Sequence, residues 1–511
     1  MSIWNDKAGG RSLRLTACAA SALLGCSVLA MPRQSFGQSL TSTQATTTTA
    51  QSANPDPYGA SSTDGEIAPG SSAKSKTTKT AASTASDTAD APLNPRLRLD
   101  GTDTLTTGSI LDDDMRRINT RDSSVDNVNV KQRADRDDPQ GIQLGSFTLR
   151  PSVNQSINVE DERTGSTDDK RTYLQTDLRS TLTSDWSRHQ LTITGDGLWQ
   201  RNLSGTGEEQ PNVDINADLR LDLPSETTAH VTAGYQFFRE DTDDPNAISG
   251  AAKQSGVNQF DGGLSVERDF GILRGTTALA LTRTIYSDAE LSDGSTVTLS
   301  DRNQTAGVLR GRIGYELSPA LIPFVEADLG RTIYDDKFDS SGYQRSGQSY
   351  GGKAGIELDL GEKLKGELGI GYQQTNFDDS RLASIGSPTI DGNIAWSPQR
   401  GTNVNIGLST SVQPSTTAGD SGYVAYQLTE TITHEMTDDL VAKLTGGTIW
   451  RDYPSNSTFD DETVYDAAAG LTWSVNRYLD LTGNVGYELT SRKSGDDTRQ
   501  LRAGLGLTVK R

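Results

Sequence analysis

The sequence predicts an all-β fold, a transmembrane antiparallel up-and-down β-barrel of 18 strands. Three observations carry this reading. Apolar and polar side chains alternate from residue 142 onward; the connections between the alternating segments are short and long in strict turn; and only the N-terminus holds an apolar run approaching the length of a membrane-spanning helix. Alternation with period two is the signature of a strand with two unlike faces. A strand tilted across hydrocarbon needs about 9–11 residues, and a barrel with both ends in the periplasm has short inner turns and longer outer loops.

Composition fits. The 511 residues are only 33% hydrophobic and carry a net charge of −20, and even with the 51 glycines counted the apolar share stays below the roughly 45–50% of a soluble protein. A barrel with a polar lumen reads as hydrophilic even though it sits in lipid. The acidic balance argues against a nucleic-acid partner, because phosphate binding wants a basic face.

Residues 1–37 read as a secretory signal peptide. Lys7, Arg11 and Arg14 precede an apolar stretch from Leu15 to about Met31, and small residues offer cleavage after Ala30 or Gly37. An uncleaved anchor, or a lipoprotein signal around Leu23-Leu24-Gly25-Cys26, are the alternatives. Both cysteines, Cys18 and Cys26, lie in this segment. Cleavage after Gly37 therefore leaves a chain with neither a disulfide nor a thiolate site. It also removes four bases and one acid, taking the net charge from −20 to −23.

Residues 38–140 read as a disordered periplasmic tail. The first part is Ser, Thr, Ala, Gly and Asp; the second is dense in charge, with one short helical candidate at 109–118. Such a stretch cannot bury enough surface to offset the entropy of ordering. It serves as a linker, or it binds cell wall or a secretion partner.

Residues 141–511 read as the barrel. The segments are Leu144–Val159, Leu174–Leu182, Leu191–Trp199, Val213–Leu223, Ala229–Phe237, Phe260–Val266, Leu273–Leu281, Thr305–Leu317 and Pro323–Ile333. They continue at Tyr350–Leu360, Leu364–Tyr372, Ile390–Trp396, Val404–Val412, Val424–Ile432, Leu440–Trp450, Tyr465–Val475, Leu479–Leu489 and Leu501–Val509. Around 386–397 and 421–433 the outward rows are interrupted by Asn, Asp or Glu; discounting those two segments would leave 16 strands. Short turns fall at 184–189, 224–228, 268–271, 318–320, 361–363, 398–402, 435–439 and 476–477. Long loops fall at 160–171, 202–211, 239–256, 286–303, 334–348, 374–388, 413–421, 451–463 and 490–498. A β-sandwich would impose no such order.

Trp199, Tyr235, Phe237, Tyr350, Tyr372, Trp450 and Tyr487 share the apolar phase and stand beside long loops. They form an upper aromatic girdle at the headgroup level, with Trp396 and Trp473 near the short turns below. The opposite phase is heavily charged. Candidate pore-lining residues are Arg220, Arg310, Arg312, Glu326, Asp328, Lys353, Glu357, Lys365 and Glu367. Such side chains either set ion preference as rings of charge or pair across strands and hold the wall. The acidic excess implies a weak cation preference.

No catalytic, cofactor-binding or metal-binding constellation emerges. His189, His230 and His434 are scattered, there is no G-x-S-x-G, P-loop or metal-spaced His/Cys cluster, and Gly369 and Gly371 read as strand glycines. The chain does not read as an enzyme. The long loops carry acidic clusters at 240–244, 334–336, 377–379 and 459–462. These are solvated surface, or they hold Ca²⁺ or Mg²⁺ that bridges to lipid-A phosphates.

Residues 142–511 resemble the outer-membrane family labelled β-barrel porin 2, found in alphaproteobacteria. The carriers are GSFTLRPSVNQSINVEDERTG, TAGYQFFRED and LTGNVGYELTSRKSGDDTRQLRAGLGLTVKR. The resemblance implies a multi-pass barrel in the bacterial outer membrane, a porin-like role and no catalytic residues. Partners would be outer-membrane lipid, lipopolysaccharide and the barrel assembly machinery. That machinery usually reads a terminal aromatic residue, whereas this chain ends Leu507-Thr508-Val509-Lys510-Arg511; an internal signal would then serve. The function expected is passive diffusion of small hydrophilic solutes. The alternatives are export of an acidic surface polysaccharide, which a continuous basic track in the lumen would favour, and a non-conducting scaffold or adhesin.

Overall fold

A computed structural model describes residues 139–511, apart from residues 206 and 456. The expected signal peptide and the expected periplasmic tail up to residue 138 lie outside the described residues. The rest is one closed sheet of 18 long strands. They are β1 (Phe147–Thr164), β2 (Thr167–Ser184), β3 (Gln190–Gly205), β4 (Asn212–Leu223), β5 (Thr227–Arg239) and β6 (Gly256–Asp269). Next come β7 (Leu273–Tyr286), β8 (Gln304–Tyr315), β9 (Leu321–Tyr334), β10 (Gly347–Asp359), β11 (Leu364–Phe377) and β12 (Ile385–Gln399). The last six are β13 (Thr402–Pro414), β14 (Gly422–Thr437), β15 (Leu440–Asp452), β16 (Glu462–Asn476), β17 (Leu479–Arg492) and β18 (Thr498–Lys510). Each pairs antiparallel with its neighbours in sequence, and β18 pairs with β1 from Lys510↔Ser152 to Thr498↔Thr164. Closure leaves no free edge along that length.

Burial is inverted relative to a soluble protein. The apolar phase points outward and is exposed, as at Leu505 (76%) and Ile370 (64%), while charged residues of the other phase are buried. In water such an outer surface would be a large exposed apolar patch; in hydrocarbon it is the matching solvent.

The eight short connections appear where the sequence puts them. Three details differ. The first segment, begun at Leu144, is broken by a turn at Gly145 and Ser146. Gly145 has φ +67, a conformation that glycine adopts without penalty. Ile142–Leu144 then folds back against Phe147–Leu149, covering the stretch of β1 below the last β18 pair. The expected loop 160–171 is absent: β1 and β2 run on to Thr164 and Thr167 and turn at residues 165 and 166. Above the membrane both faces of a strand meet water, so the apolar alternation that marks a strand disappears. Opposite charges hold the extension instead, with Asp161 facing Lys170 and Arg163 facing Asp168 across the ladder. Finally, the loops around 239–256 and 286–303 have structure of their own. Ala251–Lys253, Ala289–Leu291 and Thr296–Val297 form a three-stranded sheet, seated on a small core of Val257, Tyr286, Ala289 and Leu299.

Within 386–397, Asp391 and Asn393 pair with Gly369 and Glu367 and so face inward, leaving the outward row there unbroken by them. In the second segment the interruption is real. Glu430 pairs with Gly446 and Ile406 and shares the outward face of Leu444 and Trp450. It stands four residues below Tyr426, which is about 10 Å of depth for a tilted strand, in the middle of the apolar band. A carboxylate there is costly, though less so than a base. Glu430→Leu is expected to raise unfolding stability by about 1–2 kcal/mol, read from urea denaturation in lipid vesicles; unchanged or lower stability would contradict the lipid-facing placement.

Candidate functional site: the inner wall

Two stretches of the inward rows differ in hydration. A packed stretch lies on β7 to β12 and centres on Arg312. From β8, its Nε donates to Glu326 on β9 at 2.7 Å, and its Nη1 and Nη2 donate to Glu367 on β11 at 2.7 and 3.2 Å. Reaching three strands along the wall requires a clear path. Glycine supplies it: the ladder row between these residues reads Gly314, Phe324, Gly355, Gly369. The guanidinium lies over the Phe324 ring at 4.0 Å, a cation–π contact in a desolvated place. A Cβ on Gly355 would sit 2.4 Å from that ring and 2.5 Å from the Leu368 carbonyl oxygen.

Lys353 repeats the device. From β10 its Nζ lies 3.2 Å from Glu326 and 3.4 Å from Asp391 on β12. It passes Gly371, whose absent Cβ would fall 2.5 Å from that of Lys353. Arg310 reaches Glu326 at 3.2 Å, and Arg274 of β7 reaches Asp269 at 2.9 Å and Glu357 of β10 at 3.5 Å. The side chains of Arg312, Glu326, Lys353 and Glu367 are at most 5% exposed. Each charge has an opposite charge at hydrogen-bonding distance, the condition under which burial of ions is tolerated.

A wetter stretch lies on β2 to β5. Asp177, Asp196, Asp214, Asp218 and Asp222 share the inward face with Arg179, Arg220 and His230. Asp196 remains 42% exposed, Asp222 35% and Arg179 32%, against 20% for Asp218, 18% for Arg220 and 16% for His230. Arg179 donates to Asp196 at 2.7 Å and Arg220 to Asp222 at 3.0 Å. His230 lies 3.1 Å from Asp218. Asp196 stands directly opposite Asp214 in the ladder, a like-charge pairing that costs stability in any sheet. Five acids share this wall with two arginines, so it is net negative.

The residues expected to line the pore are thus inward-facing but not equivalent. Arg310, Arg312, Glu326, Lys353, Glu357 and Glu367 join the packed knot, and Asp328 lies opposite Arg310 in the ladder. Lys365 stands apart, 46% exposed and 3.9 Å from Asp359 near a short turn. Arg220 belongs to the wet wall. Sequence reasoning missed Phe324 and Asp391 as members of the knot and the role of the glycines; the readable signal was two inward glycines, Gly369 and Gly371, flanking a long base on the next strand. The girdle candidates all face outward. Trp199, Tyr350, Tyr372, Trp450 and Tyr487 are 43–55% exposed, Tyr235 packs on Phe260 with ring centroids 5.1 Å apart, and Phe237 lies two residues above it. Trp450 stacks on Tyr426.

Several carboxylates of the acidic loops are held in ion pairs. Asp335 and Asp378 each take a bidentate pair of hydrogen bonds, from Arg283 and Arg331. The Arg283 hydrogen bonds hold the Asp335 carboxyl below the usual carboxylate range. Asp379 accepts from Arg381 and from two backbone amides, which holds it lower still. Glu240, by contrast, is buried, and that burial pushes its carboxyl up despite Arg302 at 3.2 Å. Among the described residues no three His, Cys, Asp or Glu side chains converge as metal ligands. His189, His230 and His434 contact the Asp222 amide, Asp218 and Thr402, at separate places on the wall.

The model of the family described as "Putative beta-barrel porin 2" matches residues 136–511. No curated protein matches the chain. Among solved structures, the outer membrane protein OpdK of Pseudomonas aeruginosa is 12% identical, with a TM-score of 0.36, over 71% of this chain and 99% of that one. OccK5 (OpdH) of the same organism is 10% identical, with a TM-score of 0.36, over 71% and 98%. OccAB4 of Acinetobacter baumannii gives the same four figures.

Proposed function

The chain belongs to the putative β-barrel porin 2 family, an outer-membrane family, and we propose that its lumen passes small hydrophilic solutes by passive diffusion along the wet wall of β2 to β5. The observation that carries this is the asymmetry of the inner wall. Barrels of this strand number are wide enough for an aqueous channel. Here the charged knot packs β7 to β12 with mutually paired side chains, while the more exposed acids stand on β2 to β5. An acidic, hydrated wall favours cations over anions. The bases of β7 to β12, with Arg179 and Arg220, are paired with acids, so these stretches give the polysaccharide-export reading no continuous basic track.

Residues 38–140 would then be a periplasmic tether, starting from the same rim as Ile142–Leu144, with cell wall as a partner. Outer-membrane lipid and lipopolysaccharide would surround the girdle, with the outward Arg283 and Arg331 at headgroup height, and the assembly machinery would insert the barrel. Single-channel recording of the refolded chain with and without residues 38–140 tests this. Matching conductance steps in both forms are expected. Steps only after deletion would make the tail a plug and refute the tether.

A further inference from the structure

We propose that residues 415–421 form a strap that bars the outer mouth at rest and swings aside when a solute passes. The proposal rests on the channel reading above.

The geometry begins with topology. The strap joins β13 to β14. It is gripped by Asn246, which lies in the loop joining β5 to β6. β5 and β13 are eight strands apart in a closed ring of 18, so they stand on nearly opposite sides of the bore. A direct contact between their loops crosses the mouth. Asn246 Nδ2 donates to the Pro414 carbonyl oxygen at 3.2 Å, and its Oδ1 accepts from the Thr416 amide and hydroxyl at 3.0 and 3.2 Å. The Asn246 backbone is itself fixed, its amide donating to Asp244 at 2.7 Å.

A second grip comes from the loop between β9 and β10. Arg345 donates to the carbonyl oxygens of Ser415, Thr417 (2.8 Å) and Asp420 (3.0 Å), while Asp339 holds its Nε at 2.6 Å. Arg302, between β7 and β8, donates to Thr416 Oγ1 at 3.4 Å, and Ser457, between β15 and β16, to Asp420 at 3.0 Å. Four loops from around the ring therefore meet on one segment of seven residues. Arg345 and Asn246 are 5% and 7% exposed, so the grips are sealed from solvent.

The character of the grips suits a device that opens. None of the strap residues belongs to a hydrophobic core cluster. The grips described above are hydrogen bonds, whose donors and acceptors water takes up once the strap lifts. The strap ends at Gly422, in a tight backbone approach that only glycine permits. Gly422 has φ +131, and a Cβ there would fall 2.0 Å from the Gln413 carbonyl oxygen.

The test is a reversible lock. Asn246→Cys and Thr416→Cys are combined in the full chain with Cys18→Ser and Cys26→Ser, and the oxidised and reduced forms are recorded in planar bilayers, the cross-link being verified by gel mobility. Oxidation is expected to cut the open probability at least tenfold and reductant to restore it. Arg345→Ala, with no cross-link, is expected to lengthen openings severalfold. Oxidised barrels that conduct as the reduced ones do would overturn the strap and leave the channel standing. Silence in both redox forms and in Arg345→Ala would overturn the channel reading, and the strap with it.

Discussion

Arg312→Ala is expected to destabilise the barrel by about 3–5 kcal/mol, the cost of removing one partner from a buried ion pair. Arg312 is the hub of the knot. Glu326 would keep Lys353 and Arg310, at 3.2 Å each. Glu367 would lose both of its hydrogen bonds from Arg312 and remain buried beside Gly355 and Gly369. The penalty is therefore concentrated on Glu367, which gives the prediction an internal control. Arg312→Met with Glu367→Gln removes the charge and its counter-charge together, and most of the lost stability is expected to return. Urea unfolding in vesicles, with heat-modifiable gel mobility to verify the folded barrel, reads both. Arg312→Ala near wild-type stability would mean that the knot is solvated and β7 to β12 are not packed.

Replacing Asp196, Asp214 and Asp218 together by Asn is expected to take ion selectivity from a several-fold cation excess to about parity, because charge along a narrow wet path sets the local ion concentration. Three of the five acids on that wall go, and the two arginines remain. The same change separates wall from knot: it relieves the opposed Asp196 and Asp214 carboxylates, so stability should rise or hold while selectivity falls. Reversal potentials across a salt gradient measure the ratio. An unchanged ratio would place the ion path elsewhere in the lumen.

Much of this was readable before any coordinates. Eighteen segments, the order of turns and the inward or outward phase of each side chain follow from alternation, because lipid on one side and water on the other enforce it residue by residue. Legibility stopped where that contrast stops. Above the membrane the β1–β2 hairpin has water on both faces, so Asp161, Arg163, Asp168 and Lys170 looked like loop. Inside the lumen, phase shows that Arg312 and Glu367 both point inward, but whether they touch depends on the glycines between them and on curvature, which a linear pattern does not express. The strap was invisible for a related reason. Asn246 and Thr416 are 170 residues apart, and their meeting depends on how the ring closes.

The central claim is a hydrated path through the barrel, completed when the strap swings aside. Swelling of vesicles carrying the refolded chain, challenged with neutral sugars of increasing size, tests it most directly. The account predicts rapid swelling with the smallest sugars, a sharp decline with size, and faster swelling throughout for Arg345→Ala. Folded, heat-modifiable barrels that leave the vesicles as tight as protein-free ones, in both forms and for every sugar, would contradict it.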